Sequence, residues 1–195
     1  MKPTTTVFHD QDSLLQAIMR IHGIERFTVD PTYSKGCFYT SGKIPEPEFK
    51  FDINPQRPGV MQADCRDLPL LDESVSSMLV DLPFIHHPGK DSMMGNRFGG
   101  FPSQKVLREV YYEALVEFER VLKPGGLLCW KVQNIVESGK QVWNSCWLWL
   151  QAVERGWYPL DKAVLIGHTQ PTGFNHHKQQ HLRRADSDFW LFRNA

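Results

Sequence analysis

Four aspartates stand where a carboxylate could bind or orient a ligand. Asp30, Asp52 and Asp64 fall at the ends of short apolar runs at residues 27–29, 49–53 and 59–63, and Asp81 closes a fourth run at 75–80. Runs of this length and composition read as strands. A carboxylate at the end of a second strand can accept hydrogen bonds from both hydroxyls of a ribose. One at the end of a third could accept a proton from an adenine amino group. Any one of the three could equally be a turn or helix-cap aspartate. Three at successive strand ends are harder to explain that way.

The loop after the first run, residues 30–36, contains a single glycine, Gly36. A pyrophosphate-binding turn needs several glycines, because the backbone must come close to the phosphates at several points. A nicotinamide oxidoreductase is therefore disfavoured. A nucleoside cofactor without phosphates, S-adenosylmethionine (SAM), needs no such cradle.

These residues must be held by regular elements. Apolar spacing predicts helices at residues 11–24, 106–122 and 143–155, the first capped by Asp12 and the second stopped by Lys123-Pro124-Gly125-Gly126. Further strands are expected at 127–132, 162–167 and 189–192. Alternation of strand and helix predicts an α/β, Rossmann-like domain: one mostly parallel sheet of seven strands, the last antiparallel, with ligands beyond the strands' carboxyl ends. With 195 residues, one domain is expected over 1–195.

The segment Asp81-Leu82-Pro83-Phe84 carries the most chemical information. It resembles the [Asp/Asn/Ser]-Pro-Pro-[Tyr/Phe/Trp] motif of amino-methyltransferases that act on adenine N6 or cytosine N4. The resemblance assigns Asp81 as the carboxylate that accepts one amine N–H. It assigns the Leu82 carbonyl, ahead of Pro83, as acceptor of the other, and Phe84 as a platform for a base taken out of its stack. Leu82 stands where the motif has proline. Val121-Leu-Lys-Pro-Gly-Gly126 resembles the turn into the fifth strand of class I SAM-dependent methyltransferases. Over residues 27–192 the chain is similar to small phage and bacterial DNA methylases, in three further segments. These are Asp30-Pro-Thr-Tyr-Ser-Lys-Gly-Cys-Phe-Tyr39, residues 64–74 and residues 178–192. Ser34 stands where the first of these segments has glycine. The resemblance implies SAM as cofactor, with Asp30, Thr32, Tyr33, Lys35, Gly36, Phe38, Asp52, Asp64 and Cys65 as candidate contacts.

Lysine plus arginine equals aspartate plus glutamate, so net charge identifies no partner. Residues 168–184, however, contain no acid, and they hold Lys178, Gln180, His181, Arg183 and Arg184. Such a patch can follow a phosphate backbone. The long segment 86–103 carries Arg97 among Gly, Met, His and Pro, and could cover a cofactor or wedge into a duplex. The expected partner is DNA, with RNA as an alternative. A catalytically weak SAM- or nucleic-acid-binding protein is a third possibility. Sequence specificity would have to come from loops, a partner or a homodimer, or else be low. The four cysteines lack Cys-x-x-Cys spacing, so no metal and no disulfide framework is expected, and buried thiols are. Trp130, Trp143, Trp147, Trp149 and Trp157 are expected as core and helix-packing residues rather than stacking platforms. No apolar run approaches the roughly 20 residues of a membrane span, and a cytoplasmic protein is expected.

Overall fold

The computed structural model describes residues 4–84, 101–137, 139–167, 181–182 and 184–195. α1 (Gln11–His22) begins where the Asp10 carboxylate accepts the Ser13 N–H at 2.9 Å. Asp10, not Asp12, is the cap, because Asp10 holds extended backbone at the helix entrance. Gly23 ends the helix at φ 65°. α2 (Gln104–Val121) is capped by the Ser103 hydroxyl. Its buried stripe is Leu107, Tyr111, Ala114, Phe118 and Val121, one turn apart, with Leu115 beside it. Its end differs from the expected glycine cap. Leu122 is already extended, and the chain passes straight into a strand, with Gly125 turning within it at φ 75°. α3 (Asn144–Glu154) starts at Trp143 without a side-chain cap.

The strands are β1 (Val7–Phe8), β2 (Val29–Asp30), β3 (Phe49–Asp52), β4 (Met61–Gln62), β5 (Val75–Val80), β6 (Leu122–Val132), β9 (Tyr158–Ile166) and β10 (Asp186–Arg193). They form one sheet in the order β1-β9-β10-β6-β5-β2-β3-β4. Every pairing is parallel except those of β10, which is antiparallel to both β6 and β9. The sheet thus has eight strands among the described residues rather than seven. The addition is β1, which pairs with β9 through Val7 and Val164. A separate hairpin, β7 (Ile135–Glu137) and β8 (Lys140–Val142), follows β6.

Both faces of the sheet are buried, as a parallel sheet requires. On one face Met78, Val80, Leu128 and Trp130 pack under α2 and α3 with Tyr111, Phe118 and Leu148. On the other, Leu79, Leu127 and Cys129 pack under α1 with Tyr33, Phe38 and Tyr39. The period-2 alternation of β6 divides its side chains between the two. Trp130 and Trp157 are core residues as expected, but Trp143 and Trp149 lie on the surface. Cys65 and Cys129 are buried, whereas Cys37 and Cys146 are exposed. Among the described residues no helix is long and apolar enough to cross a membrane.

Candidate active site

β4, β3, β2 and β5 are adjacent and run the same way, so Asp64, Asp52, Asp30 and Asp81 fall in a row along one edge of the sheet. The strand order reverses between β2 and β5. Such a reversal opens a crevice at the carboxyl ends of the two strands.

Asp30 and Asp81 end the two strands at that reversal and are tied together by Thr32. The Thr32 hydroxyl accepts the Asp81 N–H at 2.9 Å and donates to Asp30 Oδ1 at 3.3 Å. Asp30 also accepts the Thr32 N–H at 2.9 Å and the Tyr39 hydroxyl at 3.0 Å. It is 1% exposed. Burial outweighs these donors and pushes its pKa up to about 7. Asp30 therefore holds the 30–36 loop in shape from inside the protein.

Asp52 is more open. One carboxylate oxygen accepts the Ser34 N–H and the other the Asn54 N–H, both at 2.8 Å. Each oxygen keeps lone-pair capacity for a further donor, as ribose hydroxyls would need. Ser34 holds φ 49°, in the left-handed region where glycine is the easy residue. Gly36 is fixed more strictly: at φ 70°, an added Cβ would lie 2.5 Å from the Tyr33 hydroxyl oxygen. Tyr33 is buried, donates to Glu46 and stacks on Tyr39 at 5.4 Å. Its side chain and that of Phe38 belong to the core beneath the loop, whereas Lys35 is exposed.

Asp64 is gripped by Arg66, whose Nε and Nη2 lie 2.9 and 2.6 Å from its two oxygens. That fork holds the carboxyl below its usual pKa. An adenine amine would have to share an acceptor already engaged. Burial pushes the Cys65 thiol up to about 12, so Cys65 offers a neutral surface and no nucleophile.

Asp81 is partly exposed and ion-paired with Lys131 at 2.8 Å. The Lys131 ammonium lies 5.4 Å from the centre of the Phe38 ring. The Tyr111 hydroxyl reaches back to the carbonyls of Leu82 and Pro83, at 3.3 and 3.1 Å. Leu82 is buried, while Pro83 and Phe84 are half-buried. Lys131 and Tyr111 were not among the residues expected from sequence. The signal for Lys131 was present, since it is the one charged residue in Leu127-Leu-Cys-Trp-Lys-Val132. Tyr111 has the signature of an ordinary core residue, and nothing in its spacing marks it out.

Of the basic segment, His181 contacts the Gly139 carbonyl at 2.6 Å, which places it against the β7–β8 turn. The Arg184 guanidinium stacks on Trp143 at 4.6 Å and faces Asp186 at 3.8 Å. Arg97, Lys178, Gln180 and Arg183 lie outside the described residues.

No family model and no curated protein matches the sequence. Solved structures match its shape. TrmN from Thermus thermophilus superposes with a TM-score of 0.56 at 15% identity, over 94% of this chain and 49% of its own. The chain thus spans about half the length of TrmN. BH2331 from Bacillus halodurans, whose name proposes a methyltransferase, gives 0.54 at 15% identity over 93% and 99%. The [4+2]-cyclase SpnF gives 0.58 at 13% identity over 94% and 81%. The fold is the α/β, Rossmann-like fold of class I methyltransferases. It is also the fold of a cyclase, so the reaction has to be argued from the site.

Proposed function

We propose that this chain is a SAM-dependent methyltransferase that modifies an exocyclic base amine in DNA, adenine N6 in the first place and cytosine N4 in the second. The observation that carries the proposal is the position of Asp81. It lies at the β2–β5 crevice, tied through Thr32 to the loop on which a nucleoside cofactor would rest. The site fits SAM: Asp52 has spare acceptor capacity for the ribose, Asp64 and Cys65 line the neighbouring strand end, and Lys35 is open to solvent.

When bound, SAM supplies an electrophilic methyl group on a sulfonium. The protein's task is to present the amine. An aromatic amine's lone pair is delocalised into its ring. Asp81 accepts one N–H and the Leu82 carbonyl the other, which turns the lone pair towards the methyl group. Phe84 supports the base from its face. Held beside Asp52 and the 30–36 loop, SAM would supply the methyl group, with S-adenosylhomocysteine as the leaving group and the surplus amine proton passing to water. This displacement needs positioning more than acid–base help. No metal is required.

Purified chain incubated with methyl-labelled SAM and separate DNA and RNA substrates tests the proposal. Label in DNA supports it, and label in RNA alone moves the substrate to RNA with the same chemistry. A second reading, a catalytically weak SAM- or nucleic-acid-binding protein, is favoured by the Asp81–Lys131 ion pair, which occupies one oxygen of the carboxylate. SAM binding by calorimetry without label in either nucleic acid would establish that reading instead.

A further inference from the structure

Tyr111 is buried completely, yet its hydroxyl is not spent on the core around it. It points from the middle of α2 at two consecutive carbonyls of the segment 82–83, 3.3 Å from Leu82 O and 3.1 Å from Pro83 O. Its ring packs against two other aromatic rings. The Trp130 ring lies 5.2 Å away and the Phe101 ring 6.5 Å, edge-on. Such packing leaves the hydroxyl little freedom to swing elsewhere.

The segment it holds needs holding. In the motif that Asp81-Leu82-Pro83-Phe84 resembles, two prolines restrict the backbone. This chain has one, because position 82 is leucine. A φ angle that proline would fix is here free to vary. Leu82 compensates in part by burying its side chain in the cluster that contains Tyr111. That anchors the side chain but does not aim the carbonyl.

We infer that the Tyr111 hydroxyl is a positioning group that fixes the Leu82 and Pro83 carbonyls from behind, supplying the rigidity that a second proline supplies in the resembling motif. The inference rests on the proposed function for its consequence, but not for the contact itself. The geometry leaves the assigned role of Leu82 open. The shorter contact is to Pro83, so the hydroxyl bonds chiefly there. A carbonyl oxygen has two lone pairs, and Leu82 O retains one for an amine N–H. Burial pushes the Tyr111 hydroxyl well above its usual pKa, so it remains a donor across the working range.

The test removes only the hydroxyl. Tyr111→Phe keeps the ring and its packing. We expect kcat for methyl transfer to fall about tenfold, the loss of one hydrogen bond's positioning, with the SAM affinity and the KM for nucleic acid unchanged. Leu148→Val, a change on α3 in the same core cluster that leaves the Tyr111 hydroxyl in place, serves as the control for destabilisation alone and should leave kcat as it is. The second readout needs no activity: amide hydrogen exchange of the peptide spanning residues 81–84. It should speed up about tenfold in Tyr111→Phe and not in Leu148→Val. Unchanged exchange in Tyr111→Phe overturns the inference. So does an unchanged kcat, or an equal kcat loss in the control. Absence of methyl transfer in the unmodified chain would count against the proposed function instead, and exchange would still decide whether Tyr111 holds the segment.

Discussion

At the scale of single residues, Asp81 differs in kind from the three other strand-end aspartates. Asp30 is enclosed, Asp52 caps two loops and Asp64 is forked by Arg66, whereas Asp81 is partly exposed and, among the described residues, pairs with Lys131. Asp81→Ala should therefore abolish methyl transfer and leave SAM affinity within about threefold, a separation that calorimetry and a turnover assay can read. Asp81→Asn keeps an acceptor oxygen and should retain measurable turnover. Asp30 makes a different prediction, about pH. Its folded pKa of about 7 is above the value for an unfolded chain, near 4. Between those values the folded state holds a proton that the unfolded state has lost. The contribution to stability is present below about pH 4, falls as pH rises towards 7, and is constant beyond. Thermal melts of Asp30→Asn should lack that fall, and the difference from the unmodified chain should grow from pH 4 to 7 by several degrees.

At the scale of elements, the loop 30–36 depends on Gly36. Gly36→Ala meets both an unfavourable φ and the Tyr33 hydroxyl at 2.5 Å. It should cost about 2–3 kcal/mol in urea unfolding, with SAM affinity falling alongside. Ser34→Gly relieves the φ of 49° but loosens the unfolded chain, and the two effects should cancel to within about 1 kcal/mol. This is also the scale at which the sequence was most and least legible. Parallel strands buried on both faces are near-continuous apolar runs, so Val75–Val80 could be found with its boundaries correct. β1 could not, because two residues carry no period, and its partner Val164 lies far along the chain. Apolar spacing by itself also marks Val110, Ala114, Phe118 and Leu122 as a stripe along residues 106–122. The packed stripe runs through Leu107, Tyr111, Ala114 and Phe118, which differs by about one position. That difference hid Tyr111, and with it the contact to Leu82 and Pro83. Lys131 was hidden for another reason: a strand pattern shows which face a residue takes, not what waits opposite it.

At the scale of the whole molecule, the sheet order brings four acids that are spread over residues 30–81 to one edge. Sequence spacing placed them at strand ends but could not show that β5 lies beside β2, since that adjacency is a long-range pairing. The neutral net charge makes any nucleic-acid binding a local affair. If the segment that includes Lys178, Arg183 and Arg184 follows a phosphate backbone, replacing these three by alanine should weaken DNA binding. It should also flatten the slope of log affinity against log salt by about 2–3. An unchanged slope would place the nucleic-acid contact elsewhere.

The central claim is that a carboxylate at position 81 presents a base amine for methylation. Modification-sensitive sequencing of DNA from cells expressing the chain, beside cells expressing Asp81→Ala, tests it most directly. N6-methyladenine, or failing that N4-methylcytosine, should appear with the unmodified chain and be absent with Asp81→Ala. Equal modification in the two, or no modified base with either, would contradict it.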